Sequence, residues 1–380
     1  MKPKDPVSVL VAPLDWGLGH ATRCIPIIKE LIGLGARVII AASGNQKALL
    51  TEEFPSLEFI EIPGYNIRYK NGLLLKWAIL FRAPWFLNQI RRENQWLTLT
   101  IRSHRIDALI SDNRYGLYNA DLFTVFITHQ LYIQSGISRQ KFLNNWINRA
   151  IQRWNYKFIG KFSCCWVPDG DDMHSIAGQL SHPPALPEIP VKYVGILSRF
   201  AQPEKRQLKK RLLILLSGPE PARTRFENRL IRQVEGTSLQ TVIVRGLPGQ
   251  SHSMPDLPER VQIFNHLSSV DLAEMIMESE FIIARSGYST IMDLIKLRRN
   301  AIIVPTPGQT EQEYLGNYMN EKGWMYSVPE KKFHLKKTID EFQKLKLRLP
   351  ETQETNLRNI VGEFLEDKIK SAPATSGLAI

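Results

Sequence analysis

A chain of 380 residues exceeds what one ordinary hydrophobic core accommodates, so two domains of nearly 200 residues each are expected. With 43% hydrophobic and 23% charged residues it is neither a disordered chain nor a repeat array, and its three cysteines, Cys24, Cys164 and Cys165, exclude a disulfide scaffold and point to a reducing cytoplasm. The net charge of +12 favours anionic partners without choosing among nucleic acid, an anionic membrane surface and a phosphorylated substrate.

The lead MKPKDP is short and charged, lacking the apolar region and cleavage site of a signal peptide, and no run reaches the roughly 18 apolar residues of a spanning helix, so a soluble or peripheral protein is expected. Val7 to Pro13 (VSVLVAP) predicts a strand buried on both faces of a parallel sheet. The turn DWGLGHATRCIP follows, then apolar residues at helical spacing up to Gly33 and Gly35, then the strand ARVIIAAS. This strand–turn–helix–strand unit sets an α/β expectation. Gly17 and Gly19 open the turn, and His20 falls at the helix start. An imidazole there is placed to take a proton from a hydroxyl at neutral pH, or simply to bond backbone.

From 65 to 105 runs a basic aromatic stretch: Arg68, Lys70, Lys76, Arg82, Arg91, Arg92, Arg102 and Arg105 with Tyr69, Trp77, Phe81, Trp85, Phe86 and Trp96, opposed only by Glu93. It suits a segment resting on anionic headgroups, and equally a partly buried helical pair with a solvated basic face. The strand DALISD ends at Asp112, a carboxylate in reach of orienting His20 or of starting a turn. LFTVFIT leads to His129 and Gln130. After SCCWVPD, the Pro-rich SHPPALPEIPVKYVGILSRF predicts an interdomain linker.

Four more buried-strand runs, RLLILLSG, LQTVIVRG, EFIIARSG and RNAIIVPTP, predict a second parallel α/β sheet. The domains expected are 1–194 and 195–365, with a final amphipathic helix at about 356–369 packing back on the first domain and a disordered tail at 370–380. Between the strand EFIIA and a helix lies RSGYSTIMDL, Arg285 to Leu294. Gly287 lets backbone approach an anion, and the helix start offers free N–H groups and its positive dipole end to a diphosphate. Ser286, Ser289 and Thr290 add hydroxyls, and Asp293 stands one turn on, where a carboxylate accepts from ribose hydroxyls. An ordinary capped helix reads the same way. The polar loop PTPGQTEQEYLGN places Gln309, Gln312 and Glu313 at a strand's carboxyl end, suited to sugar hydroxyls.

These two loops resemble the donor site of MurG-like glycosyltransferases, whose relatives include diacylglycerol glucosyltransferases and UDP-glucuronosyltransferases, and the resemblance covers most of the chain. It implies a GT-B fold: two doubly wound Rossmann-like domains facing an interdomain cleft. It assigns a UDP-sugar's diphosphate to Ser286, Gly287 and Thr290 within the Arg285, Tyr288 and Ser289 loop, its ribose to Asp293, and its sugar to Gln312 and Glu313 beside Gln309. VGILSR makes Arg199 a diphosphate clamp. The family's Gly-rich loop is represented by SGPEPARTR from Ser217 and Gly218, where two prolines and Glu220 replace several glycines and leave fewer N–H groups for phosphate. The Gly-His pair marks His20 as general base, with Gly19 at the donor and Gly17, His129 and Gln130 on the acceptor side.

The resemblance implies an inverting transfer without metal or other cofactor, from a UDP-linked hexose or N-acetylhexosamine to a hydroxyl acceptor, a lipid-linked sugar among the candidates. The expected place is the cytoplasm, with peripheral contact at the inner face of the cell membrane and no nucleic-acid partner. The Gly-His-x-x-Arg pattern ending at Arg23 also resembles nucleotide-sugar hydrolases of pseudaminic acid synthesis, and a non-catalytic sugar-nucleotide-binding protein is the third alternative.

Overall fold

The computed structural model describes residues 6–65, 83–133, 141–201, 206–249, 257–352 and 356–371. Tyr69, Trp77, Phe81 and the cations at 68, 70, 76 and 82 lie outside these residues, as does the tail beyond 371.

Among the described residues the first half builds β1 (Ser8–Pro13), α1 (Leu18–Gly33), β2 (Arg37–Ala41), α2 (Gly44–Glu53), β3 (Glu58–Ile60) and α3 (Ala83–His104). It continues through β4 (Ala108–Asp112), β5 (Phe123–Ile127), α4 (Lys141–Ile159), β6 (Cys164–Val167) and β7 (Val191–Tyr193). The seven strands form one parallel sheet in the order β3-β2-β1-β4-β5-β6-β7. Every residue of β1 and β4 is buried, as helices on both faces require of an uninterrupted apolar run. β7 falls inside the segment expected to be linker: Val191 to Tyr193 pair in register with Cys165 to Val167, so the edge strand forms on backbone bonds despite the flanking prolines.

The second half builds β8 (Lys209–Leu215), α5 (Ala222–Val234), β9 (Gln240–Val244), β10 (Val261–Phe264), α6 (Ser269–Glu278), β11 (Ser279–Ala284) and α7 (Tyr288–Lys296). Then follow β12 (Ile302–Ile303), α8 (Thr310–Glu321), β13 (Tyr326–Ser327), α9 (Leu335–Phe342) and α10 (Leu357–Ser371). Its parallel sheet runs β10-β9-β8-β11-β12-β13. Helix α10 leaves this domain: Val361, Phe364 and Leu365 enter the core of the first, with Phe364 edge-on to Phe123 and Trp166.

In each sheet the strand order reverses once, between β1 and β4 and between β8 and β11. Chains leaving neighbouring strands there turn to opposite faces and open a crevice at the carboxyl ends. The two crevices face one another across a cleft of about 2310 Å³. The domains touch at its floor, where Ser289 Oγ donates to the Gly19 carbonyl at 2.9 Å.

Candidate active site

The N-terminal wall is the turn after β1. Gly17 is the N-cap of α1 with φ 148°, a conformation that side chains disfavour, and the helix has no side-chain cap. Gln46 Nε2 holds the turn by donating to the carbonyls of Leu14 and, at 2.8 Å, Gly17. A Cβ on Gly19 would lie 2.8 Å from Ser289 Oγ, so glycine is what lets the two domains meet.

His20 lines the cleft, with Nδ1 3.3 Å from Asp112 Oδ1. Arg23, one helical turn along, was not singled out as a site residue. Its guanidinium is buried and grips Asp112 with both sides, Nε to Oδ2 at 2.6 Å and Nη2 to Oδ1. Nη2 also lies 2.8 Å from His20 Nδ1, and Nη1 2.8 Å from His129 Nδ1. Burial pushes Asp112 up, but the charge of Arg23 and the hydrogen bonds of Arg23 and His20 outweigh it and hold the carboxyl at about 2. Burial, then Arg23, push His20 below its ordinary value, against the pull of Asp112.

His129 sits inside this network and spans the domains. Its Nε2 is 2.8 Å from Glu311 Oε1 at the start of α8, and its ring stacks on Tyr288 with centroids 3.9 Å apart. Burial raises Glu311, but its contact with His129 brings the carboxyl below the ordinary range. Glu311 and Arg23 stand within the sequence motifs but were given no site role there.

The C-terminal wall is the start of α7. Gly287 is its N-cap with no side-chain cap, and the first turn holds no acidic residue. The first intrahelical bond runs from the Ile291 N–H to the Gly287 carbonyl at 3.0 Å, leaving the N–H groups of Tyr288, Ser289 and Thr290 without an acceptor among the described residues. Gly287, Tyr288, Ser289, Thr290 and Asp293 all line the cleft. Asp293 Oδ1 accepts from Ser198 Oγ at 2.6 Å, and Oδ2 lies 3.9 Å from Arg199 Nε. Burial raises this carboxyl to about 6 against the pull of Arg199 and Ser198. Arg199 Nε is buried without a hydrogen-bond partner, and the side chain lines the cleft beside His266.

Three expected donor contacts are corrected. Arg285 is turned under the sheet: it pairs with Glu330 at 2.7 Å and lies 3.8 Å above the Phe226 ring. Ser286 is buried, and its Oγ donates to the Gln312 carbonyl at 2.8 Å. Glu313 is exposed and accepts from the Gly308 N–H at 2.8 Å, bracing its own loop. Side chains alternate in direction at a strand end, so consecutive residues of one motif do not share a target.

Gln309 and Gln312 do line the cleft, although Gln312 Oε1 is taken by the Thr306 N–H at 2.9 Å. Ser217, Gly218, Glu220 and Gln130 also line it. Past Ser217 the start of α5 is occupied. The N–H groups of Ala222 and Arg223 donate to the Pro219 carbonyl, and that of Thr224 to Glu220.

The N-terminal arm of the cleft is aromatic, lined by Tyr65, Trp85, Phe86, Trp96, Tyr115 and Trp154. Arg91, Arg92 and Arg102 are exposed on α3 and Arg105 just past its end, whereas Glu93 is buried, paired with Arg114 at 2.7 Å and accepting from Tyr65 Oη at 2.6 Å. Glu93 therefore does not offset the surface cations. No helix among the described residues is long and apolar enough to cross a membrane.

Residues 197–370 match the model of the Glycosyltransferase family 28 C-terminal domain. Two sequences named as uncharacterized glycosyltransferases are similar to the chain, one from Methanosarcina mazei (23% identical, 85% of this chain and 87% of that one) and one from Methanosarcina acetivorans with the same identity and coverage. Among solved structures, the glycosyltransferase SnogD from Streptomyces nogalater superposes with a TM-score of 0.58 over 96% of this chain and 100% of that one at 13% identity. The spinosyn rhamnosyltransferase SpnG, complexed with thymidine diphosphate, gives 0.59 over 96% of both chains at 16%. The chain thus has the GT-B fold of glycosyltransferases, two parallel-sheet Rossmann-like domains across a cleft, and its second half carries the family 28 match.

Proposed function

We propose that the protein is an inverting glycosyltransferase that moves a hexose or N-acetylhexosamine from a UDP-sugar to a hydroxyl acceptor. The observation that carries the reading is the open start of α7, three unpaired amides at a helix's positive end directly across the cleft from His20. The diphosphate would take those amides and the Thr290 hydroxyl, with Arg199 beside it, and Asp293 would accept from the ribose. As the sugar–phosphate bond breaks, these fixed donors stabilise the growing charge on the leaving diphosphate.

His20 would take the acceptor's proton as its oxygen attacks the anomeric carbon from the face opposite the diphosphate. The aromatic arm supports an acceptor with an apolar body, a lipid-linked sugar being one class, and the exposed arginines of α3 support contact with an anionic membrane surface. A thermal-shift screen over nucleotide sugars tests the donor: a ligand at 100 times its Kd stabilises by about 2.7 kcal/mol. A UDP-sugar hit followed by acceptor-dependent UDP release is expected. A screen in which no nucleotide diphosphate moves the transition sinks the reading.

The Arg23 network favours one second reading, transfer to water, through its match to the Gly-His-x-x-Arg pattern. Release of free sugar without acceptor, at the full rate of turnover, would decide for it. Donor binding with no release under any acceptor would indicate a non-catalytic binding protein.

A further inference from the structure

Arginine has five N–H donors and no acceptor, and it stays protonated in proteins. A nitrogen of Arg23 that lies 2.8 Å from an imidazole nitrogen therefore donates to it, and that imidazole nitrogen carries a lone pair. For His129 this puts the ring proton on Nε2, where Glu311 Oε1 accepts it at 2.8 Å. For His20 it puts the proton on Nε2, facing the cleft. A general base needs the opposite form, with Nδ1–H given to a carboxylate and the Nε2 lone pair free. Asp112 stands 3.3 Å from Nδ1 for that purpose, but both its oxygens already accept from Arg23.

We infer that Arg23 is a positioning residue that holds His20 in the Nε2–H form and keeps it from acting as a base until the guanidinium leaves Nδ1. The consequence for catalysis rests on the transferase reading; the proton's location does not. The groups facing His20 are Arg23 on its own helix, Asp112 at the end of β4, His129 after β5 and Glu311 on α8, with Tyr288 on α7 stacked on His129. Burial, then Arg23, keep His20 neutral at neutral pH. The change of form conserves protons: Nε2 gives one to cleft water and Nδ1 takes one, which Asp112 then accepts as a hydrogen bond. Arg23 also binds His129, which reaches Glu311 in the first turn of α8 between Gln309 and Gln312, so movement of that turn around a donor sugar acts on the same guanidinium.

The test is the ring-nitrogen NMR spectrum of histidine-labelled full-length protein at neutral pH, without donor or acceptor, with the His20 signals assigned by their loss in His20→Gln. In the unmodified protein, protonated Nε2 and bare Nδ1 are expected for His20 and for His129. In Arg23→Met, the proton of His20 is expected on Nδ1, and the acid limb of the pH–rate profile is expected to move to higher pH. An imidazolium facing an unshared carboxylate holds its proton longer, so the neutral ring is lost earlier as pH falls. Arg23→Lys keeps the charge but loses the fork, and it serves where Arg23→Met does not fold: the same switch is expected. Nδ1–H on His20 in the unmodified protein, or Nε2–H retained in both variants, overturns the inference. Absence of turnover with every donor would instead strike the transferase reading and leave the spectrum as stated.

Discussion

Two helices of the C-terminal domain begin at the same switch point and face the same cleft, and they begin differently. At the start of α5 every early amide is spoken for, two by the Pro219 carbonyl and one by the Glu220 carboxylate. At the start of α7 a bare glycine caps the helix and three amides are open. The same topology thus offers two anion sites, and the protein has filled one with its own groups. The fold makes the cleft; which helix binds is decided by where hydrogen-bonding capacity is left unspent.

If binding resides at α7 and proton transfer across the cleft, the two must separate on mutation. His20→Ala is expected to lower turnover by about two to four orders of magnitude, the usual weight of a general base, while calorimetry finds UDP affinity unchanged. Equal losses in both would merge the two walls into one site. Gly287→Asp makes α7 resemble α5. The glycine has φ −73° and its Cβ would meet only Thr290 Oγ1, at 4.0 Å, so the aspartate fits. It should cap the helix and stabilise the free protein by roughly a few tenths of a kcal/mol while removing charge-assisted bonds to the diphosphate, weakening UDP by about 3 kcal/mol. A variant that melts higher and still binds UDP would show that α7 is not the anion site.

Asp293→Ala is expected to weaken UDP by on the order of 1–3 kcal/mol, less than the aspartate at 287 because one carboxylate oxygen already serves Ser198. The pH dependence has a definite sign. Burial raises this carboxyl to about 6, so UDP affinity should fall as pH drops through 6 and the acceptor becomes a neutral acid. Folding stability moves the other way. Between the unfolded value near 4 and 6 the folded state holds the extra proton, so ionisation of Asp293 as pH rises through that window costs stability. A flat UDP affinity from pH 5 to 7 would remove Asp293 from the donor site.

The parts of this arrangement legible in the sequence are those governed by local pattern. Continuous apolar runs such as VSVLVAP become fully buried parallel strands because helices cover both faces, and Asp112 falls within reach of His20 because each ends or follows one of two adjacent strands. The partners of Arg23 were invisible for the complementary reason. The Gly-His-x-x-Arg spacing names the arginine, but only the meeting of β4, β5 and α8, distant in sequence, encloses it and sets its partners. Arg285 and Ser286 misled because a motif suggests a common target, whereas the sheet sends Arg285 to Glu330 and Ser286 to the Gln312 carbonyl. β7 hid among prolines because three residues carry no periodicity, only backbone pairing to β6.

The smallest effect probes the closed start of α5 directly. Glu220 lines the cleft, accepts from Arg223 Nε at 2.5 Å and from the Thr224 N–H at 3.2 Å, and these bonds together with the charge of Arg223 hold its carboxyl below the ordinary range despite partial burial. Glu220→Ala removes a capping carboxylate, which should lower stability by about 1 kcal/mol in urea unfolding. Only one amide is released, since Ala222 and Arg223 keep the Pro219 carbonyl. Arg223 retains Glu227, so no strong cation is freed toward the cleft either. UDP affinity should therefore change by less than about 1 kcal/mol, in the tightening direction because a negative charge leaves the wall. A gain of tenfold or more would mean that α5 is a latent second anion site held shut by one residue, and that the contrast between the two helices is a matter of Glu220 alone.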